Sequence, residues 1–127
     1  MNRFFLIVSL AFMVFVTSCA QLNADKKTPA LEAAILENTD NYLNCMTAYA
    51  TKYAEVTDSA TILAEGAGSE CSYLIVQVED SMRALASIQY LSTSYQNKVA
   101  KEHAEELEKE ARSKVIDMVV KARIGNF

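Results

Sequence analysis

The chain is predicted to be all-α: a disulfide-stapled antiparallel helical hairpin followed by a third amphipathic helix, together a small helical bundle. Three observations predict it. Apolar residues recur at helical spacing along most of the chain after residue 30. The 127 residues hold only three glycines and one proline, so few positions interrupt a helix. Cys45 and Cys71 stand equidistant from position 58, inside the run Thr57-Asp58-Ser59, three small polar residues that each suit a helix N-cap.

The first element is a leader rather than part of the bundle. Met1-Asn2-Arg3 is followed by an uncharged apolar run from Phe4 to Val16 and then by small residues. One early cation, a short apolar core and a small-residue exit make a secretory signal peptide over residues 1–18. A helix needs roughly 20 apolar residues to span a bilayer, and this run is shorter.

Its last four residues, Val16-Thr17-Ser18-Cys19, resemble the lipobox of bacterial lipoproteins. The resemblance covers those four positions and the charged and apolar stretches before them. It implies cleavage between Ser18 and Cys19 and a diacylglyceryl group on the Cys19 sulfur. Further acylation of the new amine, with chains such as palmitate, is also implied. Two or more chains give stable anchoring where one is marginal, at about 0.8 kcal/mol per buried methylene. Ala20 follows the cysteine where an aspartate would favour the inner membrane. By the same resemblance the expected location is the periplasmic face of the outer membrane. An ordinary signal peptide is the alternative, since Ser18-Cys19-Ala20 is also an A-x-A-like site. Cleavage after Ala20 would release a soluble periplasmic or secreted protein.

Residues 19–28 are then the lipidated cysteine and a polar tether that carries Asp25, Lys26 and Lys27. The helical domain covers residues 29–127. Thr28-Pro29 fits an N-cap with proline at the first helical position, which starts a helix of about 29–57. Leu31, Ile35, Tyr42, Cys45, Met46, Tyr49, Tyr53 and Val56 lie on one face of it. Asn38-Thr39-Asp40-Asn41 weakens it locally, because these side chains compete for backbone hydrogen bonds.

The second helix spans about 59–92, with Ile62, Leu63, Ala67, Cys71, Leu74, Ile75, Val78, Met82, Leu85 and Ile88 inward. The β-branched run Leu74 to Val78 suits a strand, but helical spacing continues on both sides and no partner strand is evident. Gly66 and Gly68 each cost roughly 1 kcal/mol of helix stability against alanine. Reflection through position 58 places Tyr49 opposite Ala67, so the Gly-Ala-Gly segment is expected to make room for that tyrosine. After export Cys19 is removed from pairing, and a Cys45–Cys71 disulfide is the default in an oxidising compartment. Two buried free thiols are the alternative. One unbroken helix would hold residues 45 and 71 about 39 Å apart at ~1.5 Å per residue, whereas a disulfide needs Cα atoms within about 7 Å. Bridge and hairpin therefore stand or fall together.

Ser92 to Asn97 marks the next break, where Thr93 and Gln96 resemble a capping box. The third helix, about 94–123, carries Val99, His103, Leu107, Ala111, Val115, Met118, Val119 and Ala122 as its apolar stripe. Glu105/Lys109, Glu108/Arg112, Glu110/Lys114 and Asp117/Lys121 each place acid four residues before base, a favourable order. Gly125 suits a terminator. The spacing leaves open whether this helix folds back, projects, or fuses with the second.

Charge and motifs bear mainly on what the chain is not expected to do. From Cys19 onward it holds eleven basic and sixteen acidic residues, a net of −5. That is no footprint for nucleic acid. No catalytic, metal or cofactor-binding residues are expected. His103 is the only histidine and reads as a helical packing residue, there is no CxxC spacing, and no Gly-x-Ser-x-Gly or Ser-x-x-Lys signature occurs. Residues 84–97 carry no charge and include Tyr90, Leu91 and Tyr95. That stretch reads as bundle interior plus a polar loop. The expected role is structural or protein-interacting in the cell envelope. Its partners are the membrane, through Cys19, and an envelope protein; a soluble binding or inhibitor protein is the alternative.

Overall fold

The computed structural model describes residues 2–56 and 58–125, with side chains from Lys27 onward. Among them lie four helices and no strand: α1 (Asn2–Tyr53), α2 (Ala60–Glu70), α3 (Ser72–Gln89) and α4 (Thr93–Gly125). The all-α expectation and the Cys45–Cys71 bridge both hold, with a Cα–Cα distance of 6.0 Å.

The first helix does not begin at Pro29, and the expected tether at 19–28 is helical. Pro29 lies inside α1. A mid-helix proline removes one i→i−4 hydrogen bond. The residues before it, among them Ala20, Gln21, Leu22, Ala24, Lys26 and Lys27, are good helix formers that extend the helix through that gap.

The turn forms where the small polar run falls. Ser59 is the N-cap of α2, and its Oγ accepts the Ile62 N–H at 3.2 Å. The turn is closed from the far end of the chain. Arg123 donates from Nε to the Ala54 carbonyl at 3.0 Å, and from Nη2 to the Val56 and Asp58 carbonyls at 2.6 and 2.7 Å. These are acceptors that a helix end and turn leave unsatisfied. Arg123→Ala should cost about 1–2 kcal/mol, the low end for charged hydrogen bonds because the group is part-exposed. Urea unfolding checks the size, and faster amide exchange at Leu63, bonded to the Ser59 carbonyl, checks the place. Unchanged exchange there would remove Arg123 from the turn.

The expected single helix 59–92 is two helices. Cys71 leaves helical geometry for one residue, at φ −92° and ψ 7°. Low-propensity residues surround it (Gly66, Gly68, Ser69 and Ser72), and its side chain is bonded to α1. The buried face runs through the break in phase: Leu63, Ala64, Ala67, Cys71, Leu74 and Val78. Ile62, expected inward, is exposed, as is Val56 at the other side of the turn.

α1 is antiparallel to α2 and α3. Asn38 Nδ2 donates to Ser81 Oγ at 2.7 Å, in nearly the register set by the disulfide. The asparagine that weakens α1 in isolation thus joins it to α3. The third helix folds back, packing on α2 and α3 as well as α1. Ser92, not Thr93, supplies its cap: Ser92 Oγ accepts the Tyr95 N–H at 3.4 Å, while Gln96 Nε2 donates to the Tyr90 carbonyl at 2.6 Å. Arg83 Nε donates to Asn97 Oδ1 at 2.9 Å and ties the two sides of this second turn.

The core joins Tyr42, Met46 and Ala50 of α1 to Leu63, Ala64 and Ala67 of α2, to Cys71 and Leu74, and to Ala111, Val115 and Val119 of α4. Ala100 and Ala104 are buried as well, whereas His103 and Ala122 are exposed. The buried face of α4 is therefore rotated from the expected stripe toward a row of small residues. Of the expected i,i+4 pairs, Glu108–Arg112 and Asp117–Lys121 form, at 3.3 and 2.6 Å. Glu105 pairs backward with Lys101 at 3.7 Å.

Candidate functional site

The expected lipidation site, Cys19, lies outside the residues whose side chains are described, as do Val16, Thr17 and Ser18. The other two cysteines are placed as expected: Cys71 is fully buried in the core cluster, and Cys45 packs half-buried against it. Their role is structural. Among the described residues no group of three or more His, Cys, Asp or Glu is arranged to hold a metal, and no helix is long and apolar enough to cross a membrane.

Among the described residues, the only side-chain polar atoms that are buried without a hydrogen-bond partner lie on Tyr42 and Arg112. The Tyr42 side chain from α1 is fully buried. Its hydroxyl and the Nε of Arg112 on α4 make no hydrogen bond. Arg112 lies along Gly68, where a Cβ would meet Nε at 3.1 Å, and its Nη2 reaches Glu108. Gly68 thus leaves room for a guanidinium at the helix crossing. Burial is the main force pushing the Tyr42 phenol up to about 12; the Glu108 carboxylate raises it too, and Arg112 opposes both. At neutral pH the phenol stays protonated and serves neither as nucleophile nor as base.

A buried hydroxyl without a partner costs about 1–3 kcal/mol. Tyr42→Phe should therefore raise stability by about 1 kcal/mol in urea unfolding, and a loss would mean that the hydroxyl is satisfied in solution. The pH dependence follows from the same group. Its folded pKa lies above the unfolded value near 10, so its contribution is complete below pH 10 and is lost as pH rises toward 12. The wild type should lose stability in that window more steeply than Tyr42→Phe, by up to about 1.4 kcal/mol per pH unit.

Two hollows lie along the α1–α4 seam. One of about 420 Å³ is lined by Ala50, Ala54, Met118 and Ala122, with Lys52, Glu55 and Arg123 at its rim. The other, about 200 Å³, lies between Leu43, Thr47, Lys114 and Met118. Small residues leave this space, and Arg123 is already committed to the turn. His103 lines a shallow depression of about 150 Å³ with Glu106 and Glu110 on the outer face of α4. The acidic run there is laced by lysines, as in Lys98–Glu102 at 3.8 Å.

Besides Leu36 on α1 and Val56 and Ile62 at the α1–α2 turn, the large exposed apolar side chains fall in three places. Tyr73 and Val76 stand on the outer face of α3, Val120 and Ile124 near the end of α4, and Tyr90, Leu91 and Tyr95 at the α3–α4 turn. The third group corrects the expectation of a bundle interior followed by a polar loop. Ala86 is buried, but Leu91 is fully exposed at the apex. The sequence signal for the turn, a charge-free stretch with two tyrosines, is visible without its exposure. Comparison of the chain with protein-family models, curated proteins and solved structures finds no match in any of the three.

Proposed function

We propose that this chain is a small cell-envelope lipoprotein, anchored through acyl chains on Cys19, whose helical bundle acts as a structural or protein-docking piece at the periplasmic face of the outer membrane. The observation that carries this reading is the pattern from Met1 to Cys19: one cation, an uncharged apolar run, and Val16-Thr17-Ser18-Cys19 at its end. The Cys45–Cys71 bridge supports export, because such bonds persist in oxidising compartments. The exposed apolar pair Tyr73 and Val76 offers a protein partner a contact on α3 away from the core.

Cys19→Ala tests it. The variant should lose its acyl groups and leave the membrane fraction, while the disulfide and helix content stay as they are. A variant that still carries acyl groups, or a wild type already found in the soluble fraction, would defeat the anchor. The second outcome is the one expected from cleavage after Ala20, and it would recast the protein as a released binding or inhibitor protein.

A further inference from the structure

Residues 84–97 carry no charge, and the first charge on either side is basic: Arg83 and Lys98. Their centre is the α3–α4 turn. Leu91 projects fully exposed at its apex, flanked by Tyr90 and Tyr95, which are exposed as well. The apex is built rather than loose. The two tyrosine rings meet edge to face at 4.8 Å, Gln96 holds the Tyr90 carbonyl, and Arg83 bonds Asn97 across the base of the turn. An aliphatic tip between two tyrosines, with the exposed Lys98 beside it, matches the side-chain order of a membrane interface. There aromatic rings sit at headgroup level and basic side chains reach phosphates.

The register of the bundle says which end carries this tip. Cys45 lies beside Cys71 and Asn38 beside Ser81, so α3 advances toward the N-terminal end of α1. Continued in those two registers, the end of α3 at Gln89 is level with residues 27 to 30 of α1. The tip therefore stands at the end of the bundle nearest Cys19, and the α1–α2 turn with Ile62 stands at the opposite end. Eight to eleven residues separate Cys19 from that level, about 12–17 Å of helix at ~1.5 Å per residue. A headgroup layer is roughly 5–8 Å deep on each side of a bilayer, so a modest tilt of the bundle brings Leu91 to it. Lys27, exposed at this level of α1, adds positive charge beside the same surface.

We propose that the α3–α4 turn is a second membrane contact: Leu91, Tyr90 and Tyr95 insert into the interface of an anionic lipid surface beside the acyl anchor, with Lys27 and Lys98 facing the headgroups, while Arg83 stays bound to Glu79 and Asp80. The inference rests on the anchored reading above. It sets the bundle's orientation, with the tip down and the α1–α2 turn farthest from the lipid. The acyl chains and the tip act as two contacts of one body, and the pair fixes a direction that a lone anchor leaves free.

The chain has no tryptophan, so a single introduced one reports its surroundings. Leu91→Trp and Ile62→Trp replace exposed side chains at opposite ends of the bundle. Each full-length variant is purified from the membrane of its native host and reconstituted in phosphatidylethanolamine–phosphatidylglycerol vesicles, with and without brominated lipid. Circular dichroism confirms the fold, and intact mass reads the acyl groups separately. The expected result is a blue-shifted emission for Leu91→Trp that brominated lipid quenches, and an unshifted, unquenched emission for Ile62→Trp. An acylated protein whose Leu91→Trp emission is neither shifted nor quenched overturns the second contact and leaves the anchor standing. A blue shift without bromine quenching means that protein covers the tip, and overturns it as well. Equal quenching at both positions means that the bundle lies flat, which also overturns it. If the mass shows no acyl group the anchor fails. The released protein added to the same vesicles then reads the tip alone: quenching at Leu91→Trp upholds lipid contact, and none removes it.

Discussion

Replacing both Cys45 and Cys71 with alanine should destabilise the domain by about 3.5 kcal/mol, the chain-entropy cost of freeing a loop of this length. The sequence separation is 26 residues, and that loop contains the whole α1–α2 turn and α2. Alanine is the right replacement, because Cys71 is fully buried and a serine hydroxyl there would add an unsatisfied polar group to the loss. Small domains hold roughly 5–15 kcal/mol in total, so this one bond is a large share. The melting temperature should fall by roughly 15–25 °C. Reduction of the wild type with dithiothreitol should reproduce most of the fall. A double variant within 1 kcal/mol of wild type would show that core packing around Met46, Ala67 and Leu74 already sets the hairpin, and that the bridge is incidental.

Gly66→Leu should cost about 2 kcal/mol although leucine is the better helix former. A Cβ at position 66 would meet the Tyr49 hydroxyl oxygen at 2.5 Å and its Cζ at 3.1 Å. Tyr49 has little freedom to withdraw, since its ring lies 4.5 Å from that of Tyr53 and packs against the core cluster. Overpacking of this kind costs about 1–3 kcal/mol, and the helix-propensity gain of roughly 0.8 kcal/mol offsets only part. A cycle with Tyr49→Ala isolates the contact. If the clash is the cause, the double variant loses at least about 1 kcal/mol less than the two single losses added together. Strict additivity would place the cost elsewhere.

Much of the bundle was legible because its strongest constraints are local or symmetric. Two cysteines equidistant from a small polar run required a hairpin for any bond between them, and the same reflection put Tyr49 beside the glycine pair. What stayed hidden depends on neighbours. The break at Cys71 has no proline or glycine at the position itself; it sits where α2 and α3 are tied to α1. The face of α4 was misplaced because Ala100 and Ala104 count as weak apolar signals in a helix rich in charge. They are buried because small residues suit close packing on α2 and α3. His103 was assigned inward by spacing and turned outward with that rotation. Pro29 suited a helix start equally well, and the helix formers before it decided otherwise. Leu91 was visible as an uncharged neighbour of tyrosines, but only the fold makes it an apex at the Cys19 end. Surface contacts leave no comparable mark, because exposed residues such as Tyr73 and Val76 carry no spacing that names what covers them.

The intact mass of the mature protein, taken from its native host without reduction, decides whether the chain is anchored. The expected mass is that of residues 19–127 plus two or three acyl chains, less two hydrogens for the Cys45–Cys71 bridge. A mass equal to residues 21–127 with no acyl group would contradict it: the protein would be a released one, and both the anchor and the orientation drawn from it would fall.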